Sequence, residues 1–284
     1  MTHRAEAEII SHIQKEITEG TLQLPVLPDI AFKVRETSSD ENQGIAELVK
    51  IIQSDTSMTA YLLRVANSVL YRGVVPSTEL LQALNRLGLK TTRNLAISYS
   101  LKALFRPRSP AVKDLLQKQW NKSTYLAALS SVFAKTCPGY NPDRAMLAGL
   151  LQDIGALPII EKLAGYPKDV LEDSRSINLM LHRFTRPVGV AIMKKWKFDK
   201  DLVEVARSRE DWMRDPGPKA DLADIVLLAR LHCYVGTKRM QKLPRINQLP
   251  AFHKLTLGDL TPEMSLSIIQ EAREDIREIQ KSLI

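Results

Sequence analysis

Scarcity sets the first limits on this chain. Only two cysteines, Cys137 and Cys233, occur in 284 residues. That excludes a disulfide scaffold and a thiolate zinc site, and the expectation is two reduced thiols. Glycine is sparse, at 12 residues, which argues against a protein of short strands and tight turns. No apolar run nears the ~20 residues that a membrane-spanning helix needs. The best stretch, residues 145–160, is broken by Gln152, Asp153 and Pro158. The first residues, MTHRAEAEIISHIQKE, alternate charged with apolar side chains and hold no signal-peptide core. A cytoplasmic protein with no membrane association is the expectation.

What is present is ordinary for a globular protein: 44% hydrophobic and 25% charged residues. Disorder, collagen-like structure and coiled-coil monotony are excluded, and the length suits one large domain or two modest ones. The net charge is +8, and residues 180–245 hold 15 Lys+Arg against 8 Asp+Glu. Nearly all the surplus therefore lies in one quarter of the chain. Such a patch attracts nucleic acid, a membrane surface or an acidic partner. Here Lys194, Lys195, Lys197 and Lys200 alternate with Trp196, Phe198, Asp199 and Asp201, as on the wet face of a helix and the turn after it. No helix-turn-helix, zinc-finger or RNA-binding signature accompanies them. The reading is a solvated face or a surface for an acidic protein, not a nucleic-acid site.

The hydrophobic periodicity is helical throughout, and no strand pattern competes. Ile9, Ile10, Ile13 and Ile17 recur at helical spacing, and Gly20 ends that helix. Two prolines hold residues 24–28 (LPVLP) extended, with Asp29 expected to cap the next helix. Asp55 is expected to cap another, with Met58, Leu62 and Val65 inward. Helices are expected over 78–87, 91–105, 115–135 and 142–151. Residues 176–214 are read as two or three helices, with Pro187 near the start of one. A buried helix is expected over 221–235 and loop over 236–260. A last helix is expected to start at Thr261 and Pro262, with Ile268, Ala272, Ile276, Ile279 and Leu283 on one face. Arg106-Pro107-Arg108-Ser109-Pro110 reads as a linker. That gives an all-α protein with a boundary near residue 110: a helical lobe over 1–110 and a second over 111–284.

Single residues carry little chemistry. His3, His12, His182, His232 and His253 are scattered, without the spacing of metal ligands. Gly149 and Gly155 form no phosphate-binding loop, since no Lys-Ser/Thr follows. Ser123, Ser130 and Ser131 lack an adjacent His-Asp arrangement. Asn67-Ser68 reads as a buried cap, with a small-ligand contact as the alternative. Trp120, Trp196 and Trp212 read as core of the second lobe.

Two groups of motifs together carry a resemblance. The first comprises residues 24–28 (LPVLP), 51–55 (IIQSD), 62–68 (LLRVANS) and 84–89 (LNRLGL). The second comprises residues 120–123 (WNKS), 147–155 (LAGLLQDIG), Val188-Gly189 and Trp196. In order and spacing they resemble the HDOD family, the HD-related output domains of bacterial signalling, over most of residues 22–215. The resemblance implies an all-α, two-lobed helical bundle: an HDOD N-terminal lobe, then a lobe like the HD superfamily of metal-dependent phosphohydrolases. In that superfamily His and Asp side chains hold divalent metals, which polarise phosphate and activate water.

Position by position, the resemblance implies that this chemistry is lost. Lys122 stands at the first ligand histidine, and Gln152-Asp153 replaces the His-Asp pair. Thr185 stands at a third histidine, and Arg209 and Glu210 fall near the paired histidines. Only Asp153 survives. The implied remnant pocket is thus Lys122, Gln152, Asp153, Thr185 and Arg209, with no catalytic residue, no cofactor and no metal. A buried aspartate is costly without a positive partner. Lys122, Arg209 or both are therefore expected beside Asp153, in place of the metal. The alternative is that these side chains face solvent and Asp153 caps a helix.

The leading reading is a non-catalytic regulatory module of HDOD type that binds a signalling protein or a small ligand. The family-like region fills most of the chain, so it is expected to act in trans. A divergent phosphohydrolase is the second reading. It would need a divalent metal on Asp153 with Asp173, Glu161 or His182. The third is a nucleotide or anion sensor with Lys122 and Arg209 as phosphate contacts. The apolar stripe of the last helix would also serve a homodimer.

Overall fold

A computed structural model describes residues 3–137, 139–255 and 262–283, without the side chains of 3–5 and 262–265. The expected helix start at Thr261 therefore lies outside the described residues, as do Pro138 and the His3 side chain. Every regular element among them is helical. In chain order they are α1 (His3–Glu19), α2 (Asp29–Arg35), α3 (Glu41–Ile52), α4 (Thr56–Ala66), α5 (Leu80–Leu87), α6 (Leu89–Leu101), α7 (Lys113–Thr136), α8 (Pro142–Leu151), α9 (Ala156–Leu163), α10 (Lys168–Glu172), α11 (Ser174–Lys195), α12 (Lys200–Arg207), α13 (Leu222–His232), α14 (Pro250–Lys254), α15 (Pro262–Glu271) and α16 (Arg273–Leu283). The all-α expectation holds. Among the described residues no helix is long and apolar enough to cross a membrane.

The chain divides into two compact units: Met1–Val26 with Leu104–Ile276, and Leu27–Ala103 with Arg277–Ile284. The expected boundary near residue 110 lies close to the crossing at Leu104, but both chain ends cross over. The physical reason at the N-terminus is a set of polar ties. Lys162 pairs with Glu16 at 2.5 Å, Ser176 Oγ donates to Glu6, and Trp196 Nε1 donates to the Pro25 carbonyl at 3.0 Å. α1 buries Ile9 and Ile13, two of the four residues of the expected stripe, and leaves Ile10 and Ile17 half-buried.

In the smaller unit, Leu48, Ile52, Met58, Leu62 and Leu84 are fully buried, and Tyr61 stacks on Tyr99 with centroids 4.7 Å apart. Asp55 accepts from the Met58 N–H at 2.9 Å, the cap expected there. Asp29 caps nothing: it is the first residue of α2, after Pro28, where its charge favours the positive helix end. Asn67 bridges α4 to the following loop. Its Nδ2 donates to the Ser77 carbonyl at 2.8 Å, and its Oδ1 accepts from the Ser77 N–H at 2.7 Å. Arg86 donates to the same Oδ1 at 3.1 Å. These bonds make Asn67 a structural pin.

Three expectations need correction. Pro187 lies inside α11, not near a helix start; a proline there costs one backbone hydrogen bond, and the burial of Phe184, Thr185, Val188 and Gly189 around it holds the helix together. Residues 236–260 are not all loop, since α14 forms at Pro250–Lys254. The last helix is two segments, α15 and α16, that meet at Ala272.

Candidate functional site

Two close approaches of backbone build the site, both in the larger unit. α8 lies against α7 at Gly149, where a Cβ would stand 2.7 Å from the Ala127 Cα. The turn after α8 lies against α11 at Gly155, where a Cβ would stand 2.1 Å from the Thr185 carbonyl and 2.3 Å from the Gly189 nitrogen. No side chain fits at either place. The turn therefore presents Gln152 and Asp153 beside Thr185 and the middle of α7.

Asp153 is 6% exposed and is held by two arginines. Arg209, just after α12, donates from Nε to Oδ1 at 2.5 Å. Arg230, on α13, donates from one Nη to Oδ1 and Oδ2, each at 3.1 Å. The same Nη reaches Gln152 Oε1 at 2.8 Å. Arg230 turns its other edge to Glu210, with Nε and Nη2 at 3.2 and 3.0 Å from Oε1. Glu210 also accepts from Tyr234 at 2.8 Å and from Arg239 at 2.7 Å. Its backbone has φ 59°, a left-handed conformation uncommon for a side-chain-bearing residue. Arg239 caps the group, 4.6 Å over the Tyr234 ring.

The titration behaviour follows. Burial pushes the Asp153 pKa up, but Arg209 and Arg230 outweigh it and hold the carboxyl well below the usual range. Burial likewise opposes ionisation of Glu210, and Arg230 and Arg209 overcome it, leaving the group at about 2. Tyr234 and Cys233 are both pushed up to about 12, chiefly by burial. The Cys233 thiol is thus protonated at neutral pH and is no nucleophile.

A cavity of about 250 Å³ opens above this group, and its walls include Lys122, Asp153, Thr185, His182, Arg209 and Arg239. Four of the five residues expected in a remnant pocket thus line one cavity. The fifth, Gln152, lies behind it and accepts from Arg230. Arg209 stands where the charge argument put it. Lys122 lines the cavity but makes no ion pair with Asp153 among the described residues. Asp153 is no mere helix cap. Two residues named for a metal-binding alternative are elsewhere: Asp173 caps α11, accepting from the Arg175 and Ser176 N–H groups at 3.1 and 3.2 Å, and Glu161 accepts from the Arg108 N–H at 3.3 Å. His182 lines the cavity and sits 3.5 Å from Glu210.

Arg230 is the residue that sequence reasoning missed. A signal was present: it is the one charged residue in the apolar run 225–231 (IVLLARL) of α13, and α13 is buried along its whole length. A charge at such a position needs a buried partner.

These residues do not fit a divalent metal. The groups facing Asp153 are guanidiniums and the amide nitrogen of Gln119, at 3.5 Å, all of them donors and none a metal ligand. Among the described residues no group of three His, Cys, Asp or Glu side chains is gathered as a metal would require.

Comparison with known proteins agrees with the fold. A crystal structure from Shewanella amazonensis SB2B, of a protein provisionally named a metal-dependent phosphohydrolase, superposes with a TM-score of 0.80 at 24% identity, covering 98% of this chain and 99% of that one. An HDOD domain protein of unknown function from Geobacter sulfurreducens gives 0.69 at 20% identity, covering 99% and 98%. A protein from Marinobacter aquaeolei VT8, provisionally named a signal transduction protein, gives 0.57 at 19% identity, covering 98% and 66%. At these identities the likeness is one of fold. None of the curated proteins matches the chain. The HDOD domain model matches residues 24–212, two thirds of the chain, and the protein belongs to the HDOD family.

Proposed function

We propose that this protein is a non-catalytic regulatory module of the HDOD type, acting by contact with a protein partner or a small ligand. One observation carries the reading: the surviving carboxylate of the HD-like site is neutralised by Arg209 and Arg230 rather than left for a cation. A metal ion binding at Asp153 would have to displace a doubly held guanidinium pair from a buried site, and would meet Lys122 and Thr185 where the superfamily offers imidazole. His182 faces Glu210 at 3.5 Å and burial keeps the Cys233 thiol protonated, so among the described residues that line the cavity no general base is aligned with a nucleophile.

The test is elemental mass spectrometry of the purified protein, before and after incubation with excess manganese and removal of unbound ion, paired with a screen of phosphoesters. A folded, metal-free and inactive protein is expected. Near-stoichiometric manganese with turnover would overturn the reading and select the phosphohydrolase.

A further inference from the structure

The geometry points to the cavity over Asp153 as a binding site for one phosphate group, free or carried by a mononucleotide, contacted by Lys122, Thr185, Arg209 and Arg239. The inference rests on the non-catalytic reading above and names the ligand class of the same site.

Three observations support it. The first is charge. Lys122, Arg209, Arg230 and Arg239 face two carboxylates, Asp153 and Glu210, an excess of two positive charges in and beside one cavity. Two guanidiniums suffice to neutralise the two buried acids, so two cations remain for a dianion. Arginine and lysine around a partly buried concavity make short, charge-assisted bonds to phosphate oxygens.

The second is an unspent donor. The Thr185 side chain is fully buried, its hydroxyl has no hydrogen-bond partner, and the residue lines the cavity. A buried hydroxyl without a partner costs free energy. A phosphate oxygen would accept from it. Lys122 likewise makes no ion pair among the described residues. The third is size. About 250 Å³ is below the ~300–1,000 Å³ of pockets that enclose drug-sized ligands. It suits a small anion, or the phosphate end of a mononucleotide whose remainder reaches the exposed rim of Lys122, His182 and Arg239.

Isothermal titration calorimetry of the full chain at fixed ionic strength, with inorganic phosphate and adenosine 5′-monophosphate as probes, tests this. One saturable site is expected. Lys122→Met and Arg239→Met should each weaken it about ten-fold, and Thr185→Val about three-fold. Lys200→Met, an exposed cation that does not line the cavity, should leave it unchanged. Thr185→Val keeps the side-chain shape and removes only the hydroxyl, and circular dichroism checks that each variant is folded. Equal affinity for the two probes assigns the site to free phosphate, and tighter binding of the nucleotide assigns it to the ester; both uphold the site. No saturable binding of either probe, or binding that all three cavity variants leave unchanged, overturns it. Manganese-dependent turnover of bound nucleotide would uphold the site and overturn the non-catalytic reading. A metal-free, inactive protein that binds neither probe would overturn the site alone.

Discussion

Two buried ion clusters lie in the larger unit, and their charge balance differs. Around Asp153 and Glu210, four cations face two carboxylates. Arg214, which is 7% exposed, shares three carboxylates with one further cation, Arg207, 2.5 Å from Glu204. Arg214 pairs with Asp221 at 2.8 Å, with Asp224, and with Glu204 at 3.7 Å. Asp221 and Asp224 also form the capping box of α13, each accepting from the other's backbone N–H at 3.0 and 3.1 Å. Every partner in the Arg214 cluster is protein, and any charge left over is negative. That cluster joins the start of α13 to the chain before it. The Asp153 cluster has cations to spare, an unpartnered hydroxyl and a cavity. Buried charge alone therefore does not mark a binding site; an unbalanced sign beside open volume does.

The titrations mirror this contrast. In the cation-rich cluster both carboxyls are held low. In the acid-rich cluster the carboxyls split: burial opposes ionisation of Asp221 but its hydrogen bonds to Arg214 hold it low, whereas burial and then Asp221 raise the Asp224 pKa against the opposing pull of Arg214.

The largest effect that would break the comparison is loss of Arg230. Arg230→Met should destabilise the protein by about 3–5 kcal/mol, since it leaves Asp153 and Glu210 buried with fewer partners. Adding Asp153→Asn should recover part of that loss, because the stranded charge is removed. Chemical denaturation of the single and double variants measures both. If Arg230→Met is neutral, the cluster is not held by charge.

Arg214→Met should cost less, about 2–3 kcal/mol at pH 7, because Asp224 can take up a proton. Without Arg214 its pKa rises further above the unfolded value, so the folded state gains a proton as pH falls. The deficit should therefore shrink between pH 7 and pH 5, measured by denaturation at each pH. A constant deficit would mean that Asp224 stays ionised.

The smallest effect is an acid one. Glu210 has a folded pKa of about 2, below its ordinary value of 4.5. Its contribution is thus complete above about pH 4.5 and is lost as pH falls towards 2. Glu210→Gln should flatten the stability-against-pH curve in that window by about 1–3 kcal/mol. The slope that remains is set in part by Asp153, which acts with the same sign.

Much of the fold is legible in the amino-acid sequence. Helical spacing places the Ile9–Ile13 stripe and the α7 and α8 helices to within two residues, because apolar periodicity and helix burial share one cause. Motif order points to the family. Element ends are less legible. Asp29 and Asp55 look alike in sequence, yet only Asp55 caps, because Pro28 occupies the position where a cap would sit. Pro187 resembles a helix start, and only the burial of its neighbours shows that α11 runs through it.

The sequence by itself determined the helical class, and its resemblance to the family implied a site without imidazole in which Asp153 would need a cation. It could not choose that cation. Lys122 and Arg209 were both candidates by alignment, and the tertiary structure assigned Arg209 together with Arg230, a residue 77 positions from Asp153 along the chain. The reason is geometric. The turn at Gly155 lies so close to Thr185 and Gly189 that Asp153 is pressed towards α13, where the guanidinium of Arg230 reaches both of its oxygens and Glu210 at once. A contact of that kind depends on which helices meet, and no local pattern records it.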